Sequence, residues 1–150
     1  MSDKKYRVLV VDDNCDSAET MAQLLSFSGL DVRSCFDGPS ALAMCETFHP
    51  EACLLDINMP GMDGYELARQ IREKFADNPP IFATMTAYGD YGHLEKAVDA
   101  GFDLQFTKPV DSHEVVDQLD GLVRPHAEDD RSILKRLLSR VFGHAKSGAK

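Results

Sequence analysis

Apolar and polar positions over the first 123 residues follow two periods in turn, which predicts alternating strands and helices. Arg7–Val11 and residues 52–55 are almost wholly apolar, as expected for central parallel strands that are buried on both faces. Residues 30–36 alternate apolar with polar side chains, which is typical of a strand nearer an edge. Residues 14–28 carry apolar side chains at helical spacing, and Gly29 predicts a left-handed end to that helix.

The rest of the pattern predicts two further strands and four further helices. Pro39 suits the first turn of a helix that ends before His49-Pro50. A turn-rich loop precedes a helix through Leu67 and Ile71, and Asp111-x-x-Glu114 resembles a capping box. The remaining predicted elements are strands at 81–85 and 104–107 and a shorter helix at about 90–100. Five strands alternating with five helices predict one parallel sheet with helices on both faces.

Length and composition limit the kind of protein. A chain of 150 residues with 43% hydrophobic residues has room for one ordinary domain, which we assign to residues 1–123. No apolar run approaches the ~20 residues of a membrane span, and the first residues lack the features of a signal peptide, so we expect a cytoplasmic protein. The four cysteines, at positions 15, 35, 45 and 53, form no C-x-x-C pair and are expected to be reduced, mostly buried thiols.

Charge divides the chain into two parts. Residues 1–124 carry 10 basic and 22 acidic side chains, whereas residues 125–150 carry six basic and three acidic ones. The acidic body argues against nucleic acid as its direct partner. Residues 124–130 resemble a linker, and residues 131–142 form a basic amphipathic pattern. An extra helix packed on the body or on a partner is the plainest interpretation, with a membrane-surface, nucleic-acid or oligomer contact as alternatives.

Five chemically useful side chains fall at predicted strand ends. They are Asp12 and Asp13 after the first strand, Asp56 after the third, Thr86 after the fourth and Lys108 after the fifth. Ligand sites of open α/β sheets lie at these carboxyl ends. Each residue alone has a commoner structural explanation, such as a helix cap or a surface position, but together they predict one site. Carboxylates within ~4 Å repel by about 4 kcal/mol at an effective dielectric near 20. That repulsion favours a bound cation, and Mg²⁺ suits such a site.

At this point the sequence resembles a known family, the receiver domains of bacterial response regulators of the chemotaxis-regulator type. The resemblance covers residues 5 to about 123 in order and at normal spacing. It rests on Val8-Leu9-Val10-Val11-Asp12-Asp13-Asn14, Leu54-Leu55-Asp56-Ile57-Asn58-Met59-Pro60-Gly61-Met62-Asp63-Gly64, Thr86-Ala87, Ala100-Gly101 and Thr107-Lys108-Pro109-Val110. It implies a flavodoxin-like, doubly wound five-stranded parallel sheet of order 2-1-3-4-5.

The resemblance implies roles for the acidic residues. Asp56 resembles the phosphoacceptor, and it also belongs to the metal site. Asp13 resembles the direct Mg²⁺ ligand, with Asp12 holding the metal largely through water. Asn58 would lend its backbone carbonyl to the metal.

The same resemblance implies how the phosphoryl group is handled. Lys108 resembles the lysine that contacts the phosphoryl oxygens, and Thr86 resembles the switch hydroxyl that moves onto them. Phosphoryl transfer needs mainly positioning and cationic stabilisation, which Mg²⁺ and Lys108 would supply. The resemblance, with the need to turn the chain sharply while aiming Lys108 at the site, also predicts a cis bond between Lys108 and Pro109.

The function predicted on this basis is a phosphoacceptor response regulator of a two-component system or phosphorelay. Its donor would be a histidine kinase or a histidine phosphotransfer protein, and its output would be contact with another protein. We expect no enzyme activity beyond self-phosphorylation from a donor and autodephosphorylation. A module cut from a hybrid histidine kinase or a DNA-binding regulator is an alternative; Met1 directly before the first strand favours the stand-alone protein.

A competing class of enzyme and one substituted position bear on this prediction. A Mg²⁺-dependent phosphatase of the haloacid-dehalogenase class also uses an Asp nucleophile, but the stretch from Asp56 to Pro60 lacks that class's second Asp and its Thr. Gln105 stands where the family usually carries an aromatic switch residue, so we expect weaker coupling between phosphorylation and the surface of the last two helices and the fifth strand. Tyr88 is a candidate to take over part of that role.

Overall fold

Strands and helices alternate along residues 6–87 as the hydrophobic pattern predicts, and a strand and a helix follow in residues 101–123. The computed structural model describes residues 6–87 and 101–123. The elements are β1 Arg7–Val11, α1 Cys15–Phe27, β2 Asp31–Cys35, α2 Gly38–Phe48, β3 Ala52–Asp56, α3 Gly64–Lys74, β4 Ile81–Thr86, β5 Leu104–Thr107 and α4 Ser112–Val123.

The described strands form one parallel sheet of order β2-β1-β3-β4-β5. β3 is buried along its whole length and β1 at all but its first residue, while β2 lies at an edge and is only partly buried. Apolar side chains pack on both faces of the sheet, with α2 and α3 on one face and α1 and α4 on the other. The predicted fold class and strand order are therefore confirmed.

Local signals in the sequence set the helix ends. Asn14, rather than Asp13, caps α1, because its side chain accepts a hydrogen bond from the Ser17 N–H at 3.0 Å. Gly29 has a φ of +96°, the left-handed conformation predicted for it. Asp111 accepts a hydrogen bond from the His113 N–H at 2.9 Å, directly before α4. These caps fix the loops that follow β1 and β5, where the candidate site lies.

Several sequence predictions fall outside the described residues. They are the helix at about 90–100, Tyr88, and the linker and amphipathic pattern of residues 124–150. The division between a domain at 1–123 and a tail at 124–150 stays a prediction. Within residues 6–87 and 101–123, no helix is both long and apolar enough to cross a membrane.

The cysteines provide a direct test of the packing. All four are free, and three are buried in the core between the sheet and α2, with Cys15 exposed. Burial raises the pKa of the Cys35 thiol to about 11, with nearby Cys45 and Asp37 adding to the effect, so this thiol stays protonated at neutral pH. We expect a thiol reagent to modify only Cys15 quickly in the folded chain and all four after unfolding. Cys15→Ser should remove the fast reaction, and fast reaction of that variant would contradict the packing.

Candidate functional site

Parallel strands bring the predicted site residues to one edge of the sheet. Asp12 and Asp13 follow β1, and Asp56 is the last residue of the neighbouring β3. Thr86 ends β4, which lies on the other side of β3, and Lys108 follows β5 at that same edge. Because all five strands run in one direction, the five residues lie at the same edge of the sheet, where the strands end.

Three carboxylates form the centre of this edge. One oxygen atom each from Asp12, Asp13 and Asp56 lies within 4.8 Å of the others. Asp12 is 2% exposed and Asp56 is 5% exposed, whereas Asp13 is exposed. Three carboxylate oxygens with one side open to water are a donor set that suits a hard cation, which prefers oxygen ligands and retains water. The arrangement is thus an acidic pocket able to hold a metal ion.

The Lys108 ammonium connects two of these carboxylates. Its Nζ atom lies 3.4 Å from Asp12 Oδ2 and 3.3 Å from Asp56 Oδ2. Desolvation of the ammonium favours its neutral form, but attraction by Asp56 and Asp12 outweighs this and raises the pKa of Lys108. The side chain therefore stays cationic. The Lys108–Pro109 peptide bond is cis, as predicted.

Burial also alters the carboxyl group at the end of β3. Desolvation and a hydrogen bond with the Asp12 carboxyl raise the pKa of Asp56 to about 6, against the opposing influence of Lys108 and of the Asn58 N–H. At neutral pH the group is still mainly ionised. It thus combines negative charge with a poorly hydrated position.

Asn58 and Thr86 lie at the margins of the pocket. The Asn58 N–H donates to Asp56 Oδ1 at 3.1 Å, which fixes the start of the loop after β3. The Thr86 carbonyl accepts a hydrogen bond from the Lys108 N–H at 2.7 Å, and this bond ties the end of β4 to the segment that carries the lysine. Thr86 itself is half-buried.

Gly64 supports the site although the sequence marked it only as a turn residue. A Cβ atom at this position would lie 2.7 Å from the Asp56 carbonyl oxygen and 3.0 Å from the Ile57 Cα. The Gly64 N–H also donates to the Ile57 carbonyl at 3.1 Å. The start of α3 therefore packs directly on the backbone that carries Asp56, which leaves no space for a side chain. A glycine directly after Asp63, the cap of α3, is the sequence feature that pointed here.

A cavity of about 580 Å³ lies at the opposite edge of the sheet. Its lining includes Arg7, Glu51 and Ile81, which lie where β1, β3 and β4 begin, together with Val123. None of the predicted site residues lines it. The acidic pocket is accordingly separate from this cavity.

The fold and the pocket define a class, namely a doubly wound parallel-sheet protein with a carboxylate cluster at the ends of two central strands and a lysine directly after the edge strand β5. A family model described as "Response regulator receiver domain" matches residues 8–120. The chain belongs to this family, and it is a receiver domain of the two-component response-regulator type. Membership places it among signalling domains, and these are not classical enzymes.

Individual relatives agree with this assignment. Response regulator MprA of Mycobacterium ulcerans (strain Agy99) is 36% identical over 127 residues, covering 84% of this chain and 54% of the relative. The chain thus spans about half the length of the curated relatives it matches.

Solved structures show the same fold. A response regulator signal receiver domain from Bermanella marisrubri has a TM-score of 0.72 at 30% identity, covering 81% of this chain and all of that one. A CheY-like receiver domain protein from Methanospirillum hungatei JF-1 has a TM-score of 0.72 at 24% identity, over 80% of this chain and 94% of that one. At the lower identity the likeness concerns the fold alone.

Proposed function

We propose that this chain is a phosphoacceptor whose Asp56 takes a phosphoryl group from a phosphohistidine donor. The observation that carries the proposal is the contact between the buried Asp56 carboxylate and the Lys108 ammonium. This contact lies beside a cluster of carboxylate oxygens that could bind a metal ion. Lys108 Nζ lies 3.3 Å from Asp56 Oδ2, and Asp12 and Asp13 complete the acidic pocket around the same carboxylate. An ionised, poorly hydrated carboxylate is a competent nucleophile when nearby cations stabilise the phosphoryl oxygens.

These positions support the following transfer step. One Asp56 carboxylate oxygen attacks phosphorus and forms the acyl-phosphate bond, while the donor's nitrogen–phosphorus bond breaks and its electron pair stays on the donor imidazole. Lys108 releases its present contact with Asp56 Oδ2 and donates to a phosphoryl oxygen. The Thr86 hydroxyl donates to another phosphoryl oxygen. Hydrolysis of the acyl phosphate then restores the carboxylate.

The donor set fits Mg²⁺. Asp13 is exposed and would bind the ion directly, Asp12 would hold it largely through water, and Asp56 and the Asn58 carbonyl would complete the protein ligands. When bound, the ion supplies positive charge to the phosphoryl oxygens and offsets the repulsion among the three carboxylates.

The partners follow from the chemistry of the site. A histidine kinase or a histidine phosphotransfer protein would present the phosphoryl group, because the pocket is open to solvent at Asp13 and a protein-borne imidazole could approach from that side. The output would be a protein–protein contact. Since the curated relatives are about twice as long as the stretch they share with this chain, a receiver within a longer regulator or hybrid kinase remains the second candidate.

Metal-dependent labelling tests the proposal. Intact-mass measurement should show a single added phosphoryl group after incubation with acetyl phosphate and Mg²⁺, and none when the metal is chelated. Asp13→Asn should need much more Mg²⁺ for the same labelling, because a charged ligand is lost, whereas Asp16→Asn, a matched exposed carboxylate on α1, should behave as the wild type. Labelling that does not depend on Mg²⁺ would contradict the proposal. Multiple turnover of small phosphate esters would favour the phosphatase alternative.

Gln105 should weaken the transmission of this event to the rest of the surface. It is half-buried on β5 and pairs in register with Thr84, two residues before the Thr86–Thr107 pair. An amide prefers water or a hydrogen bond to an apolar pocket, so Gln105 does not follow Thr86 inward as an aromatic ring does. Phosphorylation shifts the equilibrium between the inactive and active conformations only if the phosphoryl group interacts differently with the two. We expect beryllofluoride to change amide NMR shifts strongly around Asp56 and weakly on β5 and α4.

The Gln105→Tyr variant is the matched control for this prediction. It restores a ring at the position and should enlarge the shift changes across residues 104–123 while leaving those around Asp56 as in the wild type. Large beryllofluoride-induced shift changes on β5 and α4 of the wild-type chain would contradict the prediction, because they would show that Gln105 transmits the signal.

A further inference from the structure

Among the described residues, the large apolar side chains that are exposed to solvent lie on the outward face of α1. Leu24 is 41% exposed and Phe27 is 82% exposed. They are three residues apart on the last two turns of the helix, so their side chains are neighbours. Leu25 points the other way and is fully buried in the core. An exposed aromatic ring beside a second apolar side chain marks a candidate contact surface.

The charge on this face indicates what would bind it. Asp16 and Glu19 are exposed on the first turns of α1, and the helix contains no lysine, arginine or histidine. A complementary partner therefore presents apolar side chains flanked by basic ones.

The chain leaves the described structure close to this face. α1 and α4 pack against each other on the same side of the sheet, where Leu25 and Leu119 share a core. Both helices begin where strands end and run back to the edge where strands begin. Val123, the last residue of α4, lies at that edge, because it lines the cavity beside Arg7 and Ile81. Phe27 ends α1 at the same edge, directly before the turn into β2.

We propose that residues 131–142 of this chain cover Leu24 and Phe27. Their sequence has an apolar stripe flanked by basic residues, namely Ile133, Leu134, Leu137, Leu138 and Val141 with Arg131, Lys135, Arg136 and Arg140. The seven residues 124–130 span up to about 23 Å when extended, which exceeds the ~8–10 Å between packed helices. The linker is thus long enough for the tail to reach α1, and the net positive charge of residues 131–142 complements the acidic helix.

A tryptophan probe tests this contact in the full chain. The sequence contains no tryptophan, so Phe27→Trp provides a single fluorophore at the proposed contact. We expect blue-shifted emission and weak quenching by iodide. Adding Leu134→Asp and Leu138→Asp should shift the emission to the red and raise the quenching constant several-fold. Ser147→Asp with Ala149→Asp, which adds the same charge outside the stripe, should change neither.

Each other outcome overturns the proposal. Emission typical of a fully hydrated indole in every variant means that the face is uncovered. A blue shift that survives the stripe substitutions, or that disappears on dilution, means that a second copy or another surface covers it. Amide NMR shifts of residues 20–27 in the otherwise native chain, with and without the stripe substitutions, give the same comparison without the probe. Phosphoryl labelling of Asp56 should be equal in all these variants, so its failure would concern the proposed function alone.

Discussion

The Asp56→Asn variant is expected to lose Mg²⁺-dependent labelling by acetyl phosphate completely. The amide that replaces the carboxylate carries no negative charge and is not a nucleophile toward phosphorus. The side chain keeps its size and can still accept the hydrogen bond that the Asn58 N–H donates to Asp56. The loss should therefore reflect chemistry and not folding. Intact-mass measurement of the two proteins under identical donor and metal concentrations checks it.

Two comparisons define this result. Asp117→Asn removes a carboxylate from the exposed face of α4 and should label as the wild type does. Unfolding of Asp56→Asn should require at least as much denaturant as the wild type, because the buried repulsion with Asp12 is gone. Labelling of Asp56→Asn at the wild-type level would move the acceptor to another residue. If Asp56→Asn does not fold, Lys108→Met provides a second chemical test, because it removes the cation at the same site.

The hydrophobic pattern predicted the strand bounds to within one residue, and most clearly for the central strands of the parallel sheet. Continuous apolar runs such as the one ending at Asp56 arise only where both faces are covered, and the structure places β3 in that position. Once the direction of the strands is known, the meeting of Asp12 with Lys108, which is 96 residues further along the chain, follows from topology alone. This is why most of the candidate site was predictable before any distance was known.

Features that depend on a single close approach were not predictable in this way. Thr84 occupies a strand position that suits either a core or a surface residue, yet its buried hydroxyl has no hydrogen-bond partner in the described part of the chain. The choice of Asn14 over Asp13 as the cap of α1 depends on backbone geometry that neither residue type determines. The support that Gly64 gives to Asp56 requires knowledge of how α3 returns to β3. The hydrophobic pattern and the topology thus predict the elements and their order in the sheet, whereas individual close contacts depend on the detailed packing.

Gly64→Ala should damage both stability and the acceptor site. The added methyl group would lie 2.7 Å from the Asp56 carbonyl oxygen, and this neighbour is backbone, which cannot rotate away. Overpacking of this kind costs about 1–3 kcal/mol of the free energy of unfolding. Relief requires movement of α3 or of the end of β3, and an ~1 Å misplacement of a reacting group slows reactions by up to about 100-fold. Urea unfolding and the rate of labelling by acetyl phosphate measure the two effects.

Gly121→Ala separates these effects from the general consequences of losing a glycine. Gly121 lies inside α4, and a Cβ atom there meets nothing within 4 Å. Alanine in a helix interior is favoured over glycine by about 0.5–1 kcal/mol, so this variant should be more stable than the wild type and label at the same rate. The two substitutions are chemically identical, and their opposite signs would follow from the contact with the Asp56 backbone. A Gly64→Ala protein as stable and as readily labelled as Gly121→Ala would show that the start of α3 moves freely, and it would remove Gly64 from the residues that position the acceptor.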